Sequence, residues 1–174
     1  MLSLLARRRS IRSYTSERVK RELVQKLTHA ALYSASSRGI RPWEIIVVED
    51  DQLLEALSGT KTHGSAFLAG APLAFVILGI PAESDVWIED TSIVSSNILI
   101  EAEALDLGAC WIQIRNRFAT DKRPSEVVVR EILGIPEDRT VESIIAVGHP
   151  AIRPEGIKAE DLHEEKVFFK RYQR

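Results

Sequence analysis

The stretch from Asp90 to Leu107 constrains the fold more than any other. Ile93, Val94, Ile98, Leu99, Ile100, Ala102 and Leu105 recur at helical spacing yet occupy most of the circumference. Asp90 or Thr91 can cap such a helix, and Gly108 can end it. A helix apolar nearly all round must be buried nearly all round. A chain of 174 residues suits one domain with one main core, so little of it is left to cover that helix. The pattern therefore predicts a central helix with part of its surface covered by a partner subunit.

Four short apolar runs read as buried strands: 44–49, 72–78, 109–114 and 141–147. Helical patterns lie between and before them. Ser3-Leu4-Leu5 opens a short helix leading into a run of arginines. Ser16 is a candidate N-cap for a helix through Val19, Leu23 and Leu27 to about Ser34. Asp51 to Leu57 forms a short helix closed by Gly59, and 63–70 reads as a helical turn. Pro124 opens a helix through Leu133, stopped by Gly134. Strands apolar on both faces, alternating with helices, imply a sheet covered by helices on both sides. Residues 1–174 read as one domain. Its charged C-terminal extension begins near residue 150, carries Val167-Phe168-Phe169 and can reach across to a partner subunit.

Several function classes are disfavoured. The formal net charge is -2 and the pI about 6.1, so basic charge is not spread over a face as in a nucleic-acid binder. No apolar run approaches the roughly 20 residues that span a bilayer. The apolar start, Met1 to Ala6, is too short for a signal peptide, and the arginines follow it instead of preceding it. A single cysteine, Cys110, has no internal disulfide partner, which suits a reducing compartment; the expected location is the cytoplasm. The four histidines are scattered and no Cys/His cluster has metal-ligand spacing. Neither Gly-x-Gly-x-x-Gly nor Gly-Lys-Ser/Thr occurs.

Two features remain. Arg7-Arg8-Arg9-Ser10-Ile11-Arg12 concentrates four arginines within six residues. Guanidinium groups donate paired hydrogen bonds to phosphate oxygens, and a hydroxyl adds a donor. A local cluster in an otherwise acidic chain suits a small anion better than a polyanion. A solvated turn is the plainer alternative, and the cluster alone does not decide between them. The second feature is Ser36-Ser37-Arg38-Gly39, before Arg41-Pro42-Trp43 and the first strand. Such a loop offers hydroxyls and backbone N–H groups to a ligand, or merely connects a helix to a strand.

In combination these stretches resemble the nitroreductase family of flavin-binding oxidoreductases. Arg8-Arg9-Ser10-Ile11-Arg12-Ser13-Tyr14 matches the family's opening. Ala35 to Trp43 matches its loop before the first strand, with Ala35 where Pro is usual, Gly39 where many members have Asn, and Arg41 for the frequent Gln. Ala71-Pro72, the helix with Asp90, Asn97 and Ala102, Leu107 to Ile112, and Ala146-Val147-Gly148-His149-Pro150 follow in family order. The resemblance implies an α+β fold: a mixed central sheet flanked by helices on both faces, in a homodimer with FMN between subunits. It implies that Arg8, Arg9, Ser10 and Arg12 hold the FMN phosphate and ribityl chain. Ser36, Ser37 and Gly39 would come from the other subunit. Gln113 and Ile114 would place backbone near the flavin N5, and His63 would meet the pyrimidine edge. Lys158, or else Arg153, would reach the phosphate. The implied activity is hydride transfer from NAD(P)H through FMN to a nitroaromatic, a quinone or another acceptor, in ping-pong order, with no catalytic side chain. The alternative within the same fold is a protein that stores, senses or consumes FMN without NAD(P)H turnover.

Overall fold

The computed structural model describes residues 1–172; Gln173 and Arg174 lie outside the described residues. The elements are α1 (Leu2–Arg7), α2 (Arg21–Leu32), β1 (Trp43–Val48), α3 (Asp51–Ser58), β2 (Leu73–Gly79), α4 (Trp87–Ala104), β3 (Gly108–Gln113), α5 (Ser125–Leu133) and β4 (Thr140–Gly148). The strands form one sheet in the order β1-β2-β4-β3, and every strand pair is antiparallel. The parallel component is a single bridge, Ser10 to Ala109, so the mixture in this sheet is slight.

Strand alternation builds a core on each face. Ala74, Val76, Leu78, Ile144 and Ala146 face α3 and α5. Leu73, Phe75, Ile77, Ile145 and Val147 face α2 and α4. Both faces are thus covered, which is why these strands read as unbroken apolar runs rather than as alternating ones.

Two helix starts differ from the sequence reading. Lys20, not Ser16, caps α2, because Val19 enters the core in extended backbone just ahead of the helix. α4 starts at Trp87, a turn before the expected cap at Asp90. Its buried stripe carries Thr91, Val94, Ser95, Ile98 and Ala102. The Ser95 hydroxyl bonds the Ser143 hydroxyl at 2.9 Å, which satisfies both groups inside the core. Ile93 on the outer side is 40% exposed, and Leu99 and Ile100 are only half-buried. Within one chain, then, α4 is covered on one side.

The segment after α1 is extended and held from several directions. The Ile11 N–H donates to the Ala109 carbonyl at 3.0 Å. The Thr15 N–H donates to His149 and the Ala151 N–H to Ser13, both at 2.9 Å. The Tyr14 hydroxyl donates to the Ile11 carbonyl at 2.7 Å, and burial pushes its phenol well above the usual range, so it stays a donor. Close approach to β3 requires Gly108: a Cβ there would sit 2.7 Å from Cγ2 of Ile11 and 2.8 Å from its Cβ. Gly108→Ala is therefore expected to destabilise by about 1–3 kcal/mol through overpacking. Thermal melts of the two single variants and of Gly108→Ala/Ile11→Ala should show the double variant less destabilised than the sum of the singles.

Candidate functional site

In extended backbone successive side chains point to opposite sides, and this divides the arginines. Arg12, Ser10, Arg8 and Lys61 gather about the thiol of Cys110 and each favours its thiolate; burial outweighs them and pushes the thiol up. Cys110 is 2% exposed and acts as an inert floor. The intervening residues turn away. Arg9 donates through Nη1 to the Glu155 carbonyl, and Ile11 enters the core. Arg7 meets the buried Glu103 carboxylate through Nε at 2.5 Å and the Glu103 carbonyl through Nη2 at 3.0 Å. The structure thus brings Arg8, Ser10 and Arg12 together and leaves Arg9 on the other side. Among the described residues, no carboxylate pairs with Arg8 or Arg12.

Lys61 was not singled out from the sequence. It lies in the connection after α3, whose Thr62 N–H and hydroxyl both donate to the Phe118 carbonyl at 3.1 Å. Burial lowers the Lys61 ammonium, and the nearby Arg117 cation lowers it further. A half-buried ammonium beside a guanidinium group has the chemistry to attract an anion. His63 is exposed on the same connection, two residues further on.

The Ser36–Gly39 loop lies elsewhere. The Ser37 N–H donates to Asp90 Oδ1 at 2.9 Å, in the first turn of α4. The Arg41 N–H donates to the Ser36 hydroxyl at 2.8 Å. Three loop residues adopt left-handed backbone: Arg38 (φ 56°), Gly39 (71°) and Arg41 (57°). Such backbone costs free energy outside glycine and persists where neighbours fix it, often at ligand sites. Asp90 and Glu103 mark opposite ends of α4, 13 positions apart, which is about 20 Å along a helix. The loop and the arginine face of one chain are therefore well separated.

The Gln113 side chain is internally committed. Its carbonyl accepts from Trp111 Nε1 at 2.9 Å, and its amide nitrogen donates to the Arg115 carbonyl at 3.2 Å and to Glu142 Oε1 at 3.4 Å. Ile114 is buried, and its N–H donates to the Glu142 carbonyl at 3.1 Å. Lys158 is exposed beside α1, on the rim of an apolar groove of about 270 Å³ lined by Leu2, Leu5, Ala6, Ile157 and Leu162. Arg153 is committed to Glu103, with Nη1 at 3.0 and 3.1 Å from its two oxygens.

The nitroreductase family profile matches residues 5–62 and 55–149, which includes the arginine segment, the Ser36–Gly39 loop and the whole sheet. The chain belongs to the nitroreductase family. A solved FMN-dependent nitroreductase from Clostridium difficile R20291 is 42% identical, with a TM-score of 0.97 over 99% of this chain and 100% of that one. A candidate NADH dehydrogenase/NAD(P)H nitroreductase of Archaeoglobus fulgidus is 33% identical over 95% of this chain and 97% of its own. A candidate of the same description from Methanothermobacter thermautotrophicus is 33% identical over 88% of this chain and 79% of its own. Among the described residues, no helix is long and apolar enough to cross a membrane, and no cluster of acidic, His or Cys side chains could hold a metal.

One buried carboxylate gives this nitroreductase a pH signature. Glu142 is 3% exposed, and burial pushes its carboxyl above the usual range, against the opposing pull of Gln113 and Arg115. A raised folded-state value means that the native protein holds this proton more tightly than the unfolded chain does. Its contribution therefore favours the fold at low pH and fades as pH rises past the unfolded carboxyl value of about 4.3. Glu142→Gln is expected to melt higher than wild type at pH 7–8, with the difference vanishing below about pH 4. A melting series over that range checks it.

Proposed function

We propose that this nitroreductase-family oxidoreductase binds FMN with the phosphate on the Arg8–Ser10–Arg12 face and passes reducing equivalents from NAD(P)H to a nitroaromatic, a quinone or a similar acceptor. One observation carries the reading: two arginines, a hydroxyl and a half-buried lysine share a face on which, among the described residues, neither arginine has a carboxylate partner. A phosphate monoester is the complement of that donor set. Arg9 is committed to Glu155, so it supports the face from behind. When bound, FMN supplies the two-electron chemistry that amino-acid side chains lack. The chain's own part is to bind, orient and balance charge; no side chain acts as a nucleophile. NAD(P)H and acceptor use the site in turn, in ping-pong order.

The site is shared in a homodimer. With about 20 Å of α4 between them, the arginine face and the Ser36–Gly39 loop of one chain serve different flavins. The loop of a second chain then lines the flavin held by the first. The outer side of α4, with Ile93 and Ile100, and the apolar tail residues Val167, Phe168 and Phe169 offer the surface for that association. The C-terminal extension reaches across to the partner. Gln113 and Ile114 contribute by backbone position at the end of β3. His63 and Lys158 remain candidate contacts at the rim.

Anaerobic addition of NADH or NADPH to the FMN-loaded protein is expected to bleach the flavin absorbance, and a subsequent acceptor to restore it. Failure of both nucleotides to bleach it would favour storage or sensing of FMN instead. Arg8→Ala/Arg12→Ala is expected to weaken FMN binding by roughly a hundredfold or more, since each charge-assisted contact is worth about tenfold. Unchanged affinity measured by flavin fluorescence would refute the phosphate assignment.

A further inference from the structure

Glu103 is one of two acidic side chains buried on α4, at the end of the helix opposite Asp90. It is 3% exposed, and its two oxygens collect both available guanidinium groups: Arg7 from the end of α1 and Arg153 from the tail. Arg7 also reaches the Glu103 carbonyl, and Arg153 donates through Nη2 to the Asp106 carbonyl at 2.9 Å. The tail is seated on α1 at the same place. The Ile157 N–H donates to the Ala6 carbonyl at 2.7 Å, and a Cβ on Gly156 would lie 2.6 Å from that oxygen.

Resting on the FMN reading above, we propose that Glu103 is a positioning residue for the phosphate site. It acts through Arg7 and touches no ligand. Arg7 directly precedes Arg8, and α1 ends between them. Arg7 is the last helical residue and Arg8 the first extended one, so an Arg7 held on Glu103 fixes the point and direction in which the chain leaves α1, and with them the placement of Arg8. Without the Glu103 carboxylate, Arg7 keeps only the residue-103 carbonyl at 3.0 Å and the exposed Asp106 carboxylate at 3.5 Å, and is held more loosely. The Arg8 fork then loses the fixed geometry that bidentate phosphate recognition needs. Glu103 also takes two positive charges out of competition for the phosphate. Electrostatics and positioning here oppose each other. Deleting the carboxylate charge by itself would make the region more positive and strengthen phosphate binding. Loss of the clamp would weaken it.

The experiment compares FMN with riboflavin, which has the same ring and ribityl chain and no phosphate. Glu103→Gln is expected to raise the FMN dissociation constant about tenfold, the worth of one charge-assisted contact, while the riboflavin constant changes less than about twofold. A role confined to general stability would lower the melting temperature and leave the ratio of the two constants unchanged. An unchanged ratio, or tighter FMN binding, overturns the proposal. Should Glu103→Gln fail to fold, Arg7→Ala decides: its side chain is 50% exposed, and its removal breaks only one arm of the clamp. The same selective loss of FMN is expected from it, and an unchanged ratio again overturns the proposal. Arg8→Ala/Arg12→Ala, measured alongside, separates the two layers of inference. If that variant loses FMN selectively and the Glu103 and Arg7 variants do not, only the positioning role falls. If it too keeps its FMN affinity, the phosphate site itself falls.

Discussion

The anion face depends on one close approach. The strip of chain carrying the arginines can pair with β3 only because residue 108 has no side chain, and the Ile11–Ala109 hydrogen bond then fixes its register. Register is decisive in an extended strip, since a slip of one residue would exchange the two sets of side chains. With Ile11 anchored in the core, Arg8, Ser10 and Arg12 have one side and Arg9 the other, while Arg7 ends α1 and turns to Glu103. A run of four arginines thereby divides into a pair without carboxylate partners among the described residues and a pair held by Glu103 and the Glu155 carbonyl. Tyr14 strengthens the anchor from beyond, held as a neutral phenol by its burial.

Charge is balanced unevenly along the molecule, and the imbalance follows function. Around Glu103, two guanidinium groups meet one carboxylate deep in the fold, and backbone carbonyls take the remaining donors. A buried ion cluster of this sort adds little net stability but is costly to break, so it holds geometry more than it adds free energy. Around Cys110, Arg8 and Arg12 stand without a carboxylate partner among the described residues, and burial, followed by the nearby Arg117 cation, lowers the Lys61 ammonium. At the other end of α4, Asp90 holds, through Ser37, a loop with three residues in left-handed backbone. One long helix thus carries, at its two ends, the supports for the arginine face and for the Ser36–Gly39 loop.

Much of this was legible in the sequence. All four strands and five helices stand where periodicity put them, because strands buried on both faces and amphipathic helices write strong patterns. The start of α2 was misread because a serine in the right place resembles a cap, while the decisive fact was Val19 packing into a distant core. The start of α4 was misread because Asp90 looked like a capping residue and instead reaches out to hold Ser37. The clustering of Arg8, Ser10 and Arg12 was legible as a local concentration of hydrogen-bond donors. Arg9 was grouped with them because a list of residues does not show alternation; the buried Ile11 was the signal that could have separated them. Lys61 and Glu103 left no local trace, since each is defined by partners far away in sequence.

The most direct measurement is a crystal structure of the protein with FMN bound. In the expected dimer, the phosphate sits within hydrogen-bond reach of Arg8, Ser10 and Arg12 of one chain, and the same flavin lies against the Ser36–Gly39 loop of the other chain. FMN bound within a monomer, or a phosphate placed away from Arg8 and Arg12, would contradict it.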